Sequence, residues 1–327
     1  MYDKNTRLVT LVTPLSSLLH LSDADQQIAH EAARVAKADL ATRMVVEMTA
    51  LQGLMGREYA TREGYAPAVA QAIFEGNLPR TAGDQLPQSS AGVLIALADR
   101  LDSLVGLFAA GLIPTASADP YGLRRAALGI VQILLDRSLD VDLRTLIDQV
   151  AEKLPLSVSP SVRAEALAFI AGRLRIWLLE EEKLPFDAVE AVLAEQAHNP
   201  YRALQGAREL AAWVAHADWP QTLDAYARCV RITRKEPETY TLEPLHLTPA
   251  ESLNLYMAAA AVQLSPADNV DVFLRTFQPM IPAITAFFDN VLVMDDDMAI
   301  RQNRLALLQY VAGLAKGRAD LSKLNGF

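Results

Sequence analysis

Four cations recur late in the chain, Arg228, Arg231, Arg234 and Lys235, spaced by three, three and one residues. At about 100° per residue they fall on one side of a helix. They lie near its predicted C-terminal end, where positive charge suits the helix dipole. Such a row can follow a polynucleotide backbone, because neutralising phosphates supplies much of the affinity. Reading bases requires more, namely unstacked bases held against aromatic or guanidinium planes. Tyr226, Tyr240, Phe287 and Phe288 are candidates for that task and equally candidates for the core. Arg301 and Arg304 stand one turn apart on the last long predicted helix. Each can contact phosphate, or pair with Asp295, Asp296 and Asp297 just upstream; for Arg301 the acidic neighbours favour pairing. That aspartate run lacks the spaced ligands and glycine of an EF-hand loop. It is expected to serve the N-terminus of the helix that follows.

Arg124 and Arg125 pose a different problem. They follow a predicted helix start at Asp119-Pro120, within the first two turns. Cations there oppose the dipole by up to about 1 kcal/mol, so they need partners. Phosphates would serve, as would carboxylates such as Asp99. Gly53, Gly56 and Gly64 either let a backbone approach closely or end helices, and the second reading is preferred.

The elements that must hold these groups are helical. Leu40, Met44, Val45, Met48 and Leu51 form one apolar stripe at helical spacing. Val93, Leu94, Leu97, Leu101, Leu104 and Val105 form another. No segment alternates between hairpin turns, so the expected fold class is all-α. Helix starts are marked by a capping side chain before proline at Thr248-Pro249, Ser265-Pro266, Asp119-Pro120 and Ser159-Pro160, and more weakly by Ser22 with Asp25. The segment from Leu154 to Pro160 has two prolines and two serines, and is the predicted domain boundary. A second break, from Lys235 to Pro249, is expected to join two helical groups within the second domain.

Composition narrows the function. Of 327 residues, 51% are hydrophobic, enough for sizeable cores. The net charge of −9 argues against nonspecific nucleic-acid binding, though a local basic stripe on an acidic body remains compatible with RNA. A lone cysteine, Cys229, excludes an internal disulfide framework and fits a reducing compartment. No apolar run reaches the roughly 18–20 residues that span a bilayer. The opening Met1-Tyr2-Asp3-Lys4 lacks an apolar signal region. A cytoplasmic location without membrane attachment is expected. Phosphate-loop, dinucleotide-binding and nucleophile-elbow motifs are missing from the sequence. Cys229 reads as a small filler, and His198, His216 and His246 are scattered.

Leu97-Ala98-Asp99-Arg100-Leu101-Asp102 resembles the late helix of HD-family metal phosphohydrolases, in which such an aspartate binds the metal. That family completes its site with a His-Asp pair on an earlier helix and a further histidine. Here the earlier segment reads Ala36-Lys37-Ala38-Asp39-Leu40, so Lys37 or Ala38 stands where the histidine belongs. A protonated lysine cannot ligate, and neither can alanine. His20 and His30 lie ten residues apart. The expectation is a degenerate HD-like domain with no metal at Asp39 and Asp99. Asp99 and Asp102 are expected to cap, to pair with arginines or to face water.

Longer strings sharpen the resemblance. Lys37 to Val45, Glu47 and Leu51 to Ala60 are similar to the glycyl-tRNA synthetase β-subunit family. So are Val69 to Ile73, Leu78-Pro79-Arg80, Gly83-Asp84, Asp99 to Gly106, Ile113-Pro114-Thr115 and Asp119 to Gly129. Phe169-Ile170, Arg173-Leu174-Arg175, Asp187 to Leu193, Arg228 and Arg231 resemble the DALR-type anticodon-binding domain that this family shares with arginyl-tRNA synthetases. Phe287 to Met294 and Arg301 to Leu308 match most specifically, while the tail from Val311 is weaker.

The resemblance implies two helical domains, a degenerate HD-like domain over 1–155 and an anticodon-binding-like bundle over 156–327. It implies an α2β2 synthetase in which the α chain binds ATP, magnesium and glycine and performs the transfer. The β chain would hold a glycine-accepting tRNA. This chain would contain no catalytic residue and no cofactor. Its tRNA-binding candidates are Arg124, Arg125, Arg228, Arg231, Arg234, Lys235 and Arg304. Because the match enters the family pattern midway, at Tyr2-Asp3-Lys4, the chain is expected to be a C-terminal fragment whose Met1 is not the natural start. An HD-type metal-dependent phosphohydrolase is the alternative reading.

Overall fold

A computed structural model describes residues 1–81 and 83–327. Among them there is no β-strand, only an isolated bridge between Thr115 and Ala118, so the protein is all-α. It forms two compact units, one of residues 1–176 with 198–201, the other of 177–197 with 202–327.

Unit 1 holds α1 (Tyr2–Leu18), α2 (Asp23–Val35), α3 (Arg43–Glu47), α4 (Leu54–Arg62), α5 (Pro67–Glu75), α6 (Ser90–Ala109), α7 (Leu123–Asp136) and α8 (Leu143–Ala151). It also holds most of α9 (Pro160–Glu180). The centre is α6, against which α1, α2, α5, α7 and α8 all pack. Its sequence explains that place. Val93, Leu94, Leu97, Leu101, Leu104, Val105 and Phe108 form a broad apolar stripe along the helix, joined by Ile95 on another side, and all are buried. Neighbouring helices cover that stripe, while Asp99, Arg100, Asp102 and Ser103 make the remaining surface polar. Ser89 caps α6 by accepting the Gly92 N–H at 3.0 Å, and the buried Glu75 in turn accepts the Ser89 N–H at 2.9 Å.

Unit 2 holds the end of α9, then α10 (Phe186–Gln196), α11 (Pro200–Val214), α12 (Trp219–Thr233), α13 (Ala250–Ala260), α14 (Val270–Phe277), α15 (Ile281–Asn290) and α16 (Met298–Gly313). Here α12 and α13 pack on α15 and α16. Phe273, Phe277 and Phe287 are fully buried, and Tyr226 of α12 meets the first two edge-on at 6.3 and 5.7 Å.

The expected boundary differs from the observed one. The segment from Leu154 to Pro160 does interrupt the helices, but the units divide inside α9, after Ile176. The first turns of α9 remain tied to unit 1, through Arg163 to Asp148 at 2.7 Å and Phe169 edge-on to Phe108 at 5.3 Å. Proline and serine mark where a helix stops, not where packing stops.

Caps show the same distinction. Ser22 and Ser159 accept N–H groups at the starts of α2 and α9 as predicted. Asp119 caps from further away than predicted, since α7 begins only at Leu123, after Gly122 in the left-handed region at φ 66°. Its carboxylate reaches forward to the Leu123 and Arg124 N–H groups at 2.8 and 2.9 Å. Ser265-Pro266 starts no helix; Asn269 caps α14 instead. Thr248 does not cap α13 with its side chain.

Cys229 is fully buried on α12, and burial pushes its thiol up to about 12. The expected outcome of alkylation at pH 8 is no modification of the native protein and complete modification in denaturant, followed by intact mass. A thiol that reacts natively at the rate of a free cysteine would contradict this placement.

Candidate functional site

The burial of α6 creates an electrostatic problem, because the helix carries Asp99 and Asp102 into an apolar bundle. Both are answered by cations from distant parts of the chain. Lys37, just after α2, donates from Nζ to Asp99 Oδ2 at 2.7 Å and lies 3.4 Å from Asn77 Oδ1. Lys4 of α1 lies 3.0 Å from Asp99 Oδ1 and 3.3 Å from Asp102 Oδ2. Arg7, one turn on, grips Asp102 with Nε at 2.6 Å and Nη2 at 3.0 Å. Desolvation pushes the Asp99 carboxyl up, but the charges of Lys37 and Lys4 outweigh it and hold the group far below the ordinary carboxylate range. Pairing was expected here, but with arginines; two of the three partners are lysines.

The other HD-like position has separate work. Asp39 is 1% exposed, and its Oδ2 accepts the N–H groups of Gly53 at 2.6 Å and Gly56 at 3.1 Å. It therefore places a negative charge at the start of α4, where the dipole favours one. Gly56 is a close-approach glycine inside α4, not a helix end: a Cβ there would lie 2.8 Å from Ile73 Cγ2 and 3.3 Å from Asp39 Oδ2.

A divalent ion does not fit these residues. One oxygen of Asp99 is bound to an ammonium at 2.7 Å, and that ammonium has no lone pair to give. Among the described residues no group of three or more His, Cys, Asp or Glu side chains could hold a metal. The geometry offers the phosphohydrolase alternative no support.

Beside Lys37 opens a cleft of about 710 Å³. Its wall includes Arg100, whose guanidinium is spent on the carbonyls of Ala96 and Pro79, each at 2.9 Å. Arg80 is paired with Asp84 at 2.8 Å, and the hydrogen bond from Arg80 leads in holding the Asp84 carboxyl at about 2. Tyr121 and Arg125 line the opening and are exposed. Arg124 does not reach Asp99. It turns to Asp119, with Nη1 3.9 Å from the carboxylate, and donates from Nη2 to the Thr115 carbonyl.

In unit 2 the predicted cation row survives in part. Arg228 lies over the Phe288 ring at 4.5 Å and 3.6 Å from Asp289. Arg231 lies over Phe327 at 5.5 Å and 3.9 Å from Asp224. Helix α12 ends at Thr233, so Arg234 is its capping residue and Lys235 lies beyond it; both are exposed. The two ion pairs are long and surface-accessible, the kind worth at most about 1 kcal/mol. A phosphate can displace them.

Arg304 is a correction. It is 7% exposed, with Nη1 donating to Leu292 O and Asp295 Oδ2, each at 2.7 Å, and Nη2 to Thr248 O at 3.0 Å. It fastens the start of α13 to the loop before α16, and its burial among these acceptors keeps it from a phosphate outside. The aspartate run that was expected to pair with Arg301 is thus engaged by Arg304, while Asp297 caps α16 at 2.8 Å from the Ala299 N–H. Of the aromatic candidates, Phe287 and Tyr226 are core, Tyr226 donating its hydroxyl to Ala312 O at 2.9 Å. Tyr240 donates to Glu236 at 2.7 Å. Phe288 is half-buried beneath Arg228. Sequence reasoning missed Lys4 and Arg7, which meet Asp99 and Asp102 across 95 residues or more and leave no local signal.

Comparison with known proteins gives a consistent picture. A family model described as "Glycyl-tRNA synthetase beta subunit" matches residues 1–194. The chain is 39% identical to the glycine–tRNA ligase beta subunit of Desulforudis audaxviator over 334 residues, covering 99% of this chain and 48% of that protein. It is 37% identical to the beta subunit of Clostridioides difficile, again over 48% of the relative. A chloroplastic/mitochondrial glycine–tRNA ligase of Arabidopsis thaliana is 36% identical over all of this chain and 31% of its own length. The chain thus spans about half the length of these bacterial relatives, or less of the plant one. No helix among the described residues is long and apolar enough to cross a membrane.

Removing Lys37 leaves the partly exposed Asp99 carboxylate with Lys4 as its remaining partner, so the expected cost is about 1–3 kcal/mol, that of a largely desolvated group losing one hydrogen bond. Urea unfolding is expected to show that loss for Lys37→Met and to show much of it regained in Lys37→Met/Asp99→Leu. Because the folded Asp99 value lies below the unfolded 3.8, its contribution is complete above that pH and fades as pH falls through the folded value. The double variant therefore has a flatter acid limb. Equal losses in single and double variants would show that the pair is not what holds α6.

Proposed function

This chain belongs to the glycyl-tRNA synthetase β-subunit family, and from that premise we propose that it holds a glycine-accepting tRNA for a synthetase whose chemistry lies elsewhere. In this reading the α chain binds ATP, magnesium and glycine and makes glycyl-tRNA, the two chains assemble as α2β2, and the present chain by itself charges no tRNA. The names of its relatives, which are glycine–tRNA ligases, support the substrate. The DALR-type and HD-like descriptions of the two halves, and a cytoplasmic place of work, are part of the same proposal.

The observation that carries the RNA role is the end of α12. Arg228, Arg231, Arg234 and Lys235 gather there on a chain of net charge −9. Their only ion pairs among the described residues are the two loose ones to exposed aspartates. A cation over an aromatic ring, as Arg228 is over Phe288, also offers a flat surface against which a base can stack. The retained candidates are Arg228, Arg231, Arg234 and Lys235, with Arg125 in unit 1. Arg124 and Arg304 are committed to internal partners.

Gel shifts at two salt concentrations, with a glycine-accepting tRNA and an anticodon-swapped version, test the role. Wild type is expected to bind less tightly at the higher salt, and to prefer the native anticodon. Arg231→Ala and the Arg234→Glu/Lys235→Glu pair are expected to weaken binding, with the salt slope reduced by about 1 for each phosphate contact removed. Binding that ignores both salt and these substitutions would leave α12 without the assigned role.

A further inference from the structure

We propose that the cleft beside Lys37 in unit 1 is a binding site for a nucleoside phosphate, in which Arg125 takes the phosphate and Tyr121 the base. In its RNA form the proposal rests on the tRNA-holding reading, which already retains Arg125, and adds to it the cleft and a place for the base; the α12 row belongs to the other unit. The cleft, about 710 Å³, has the size of a small-molecule site and is large enough for a nucleotide. Lys37, Arg80, Arg100 and Arg125 line it against two carboxylates, Asp84 and Asp99. Both carboxylates are already neutralised, Asp84 by Arg80 at 2.8 Å and Asp99 by Lys37 at 2.7 Å with help from Lys4. The lining therefore keeps an excess of positive charge within an acidic chain, and an anion is the complementary guest.

Arg125 is the cation with capacity to spare. It is exposed and has no ion pair among the described residues, whereas Arg100 is consumed by backbone carbonyls and Arg124 by Asp119 and Thr115. Its guanidinium folds back over Gly122, so closely that a Cβ there would lie 2.9 Å from Nη2. The left-handed glycine thus makes room for the guanidinium at the opening. The first N–H groups of α7 are occupied by Asp119, so the helix terminus is not the anion site; the Arg125 side chain is. A planar guanidinium suits a phosphate through two parallel hydrogen bonds.

The remainder of the lining suits a nucleoside better than a bare ion. Tyr121 is 56% exposed at the opening and presents an aromatic face on which a base can stack. Thr49 adds a hydroxyl, and Gln52, whose amide nitrogen donates to Asn77 Oδ1 at 2.9 Å, adds a side-chain carbonyl that can accept from sugar or base edges.

The shared chemistry is a nucleotide, supplied either by a single-stranded stretch of RNA or as a free mononucleotide. Calorimetric titration of the 327-residue chain with AMP, a single-stranded trinucleotide of RNA and inorganic phosphate separates the sources. Saturable binding of AMP or of the trinucleotide is expected, weakened about tenfold or more by Arg125→Glu, the size of losing a charge-assisted hydrogen bond. Tyr121→Ala is expected to weaken the nucleotides and leave inorganic phosphate unchanged. A trinucleotide that binds more tightly than AMP identifies RNA as the source, and AMP binding as tightly or better identifies the free nucleotide; both support the site. Arg125→Gln and thermal melting control for folding, since an exposed side chain is not needed for stability. Arg234→Glu/Lys235→Glu is expected to leave AMP binding intact, so this site and the α12 row can fail separately. Absence of saturable binding by AMP and trinucleotide, binding indifferent to Arg125→Glu, or displacement of AMP by an oligoglutamate peptide would overturn the proposal.

Discussion

The carboxylate of Asp99 must be neutralised, because α6 carries it to the wall of the cleft in unit 1, where it is only 17% exposed and much of its hydration is lost. The protein meets this requirement with the ammonium of Lys37 at 2.7 Å and that of Lys4 at 3.0 Å. Three segments far apart in sequence are thereby drawn together: the first turn of α1, the end of α2 and the centre of α6. The same ammonium occupies an oxygen of Asp99 that a metal ion would need.

The remaining charges sort by what already occupies them. Arg100 and Arg304 are buried and spend their donors on carbonyl oxygens, where the fixed guanidinium fork satisfies several acceptors at once. Arg7 and Arg80 hold carboxylates. Arg125, Arg234 and Lys235 are exposed at the edges of their units. In the proposed RNA role, this last group would supply the phosphate contacts. A count of cations along the sequence does not distinguish the three classes, because the distinction lies in burial and not in residue type.

Membership of the glycyl-tRNA synthetase β-subunit family and the all-α fold bring the two halves into one account. The chain matches these relatives over nearly its whole length while covering about half of the bacterial ones.

The sequence alone determined the helical class, the apolar identity of α6 and the Asp39, Lys37 and Asp99 positions that depart from a metal site. These are local matters: periodicity of 3.6 residues, residue types that cap, and side chains that can or cannot ligate. It also determined the family, through long ordered strings of residues. Tertiary structure decided everything that depends on which distant groups meet. It brought Lys4 and Arg7 to α6, buried Arg304, moved the division between units into α9 and left Arg125 at a cleft. Those outcomes follow from how helices pack, and packing sums weak apolar contacts over many residues at once. No short stretch of sequence contains that sum, so the fate of each charge became legible only when the helices were in place.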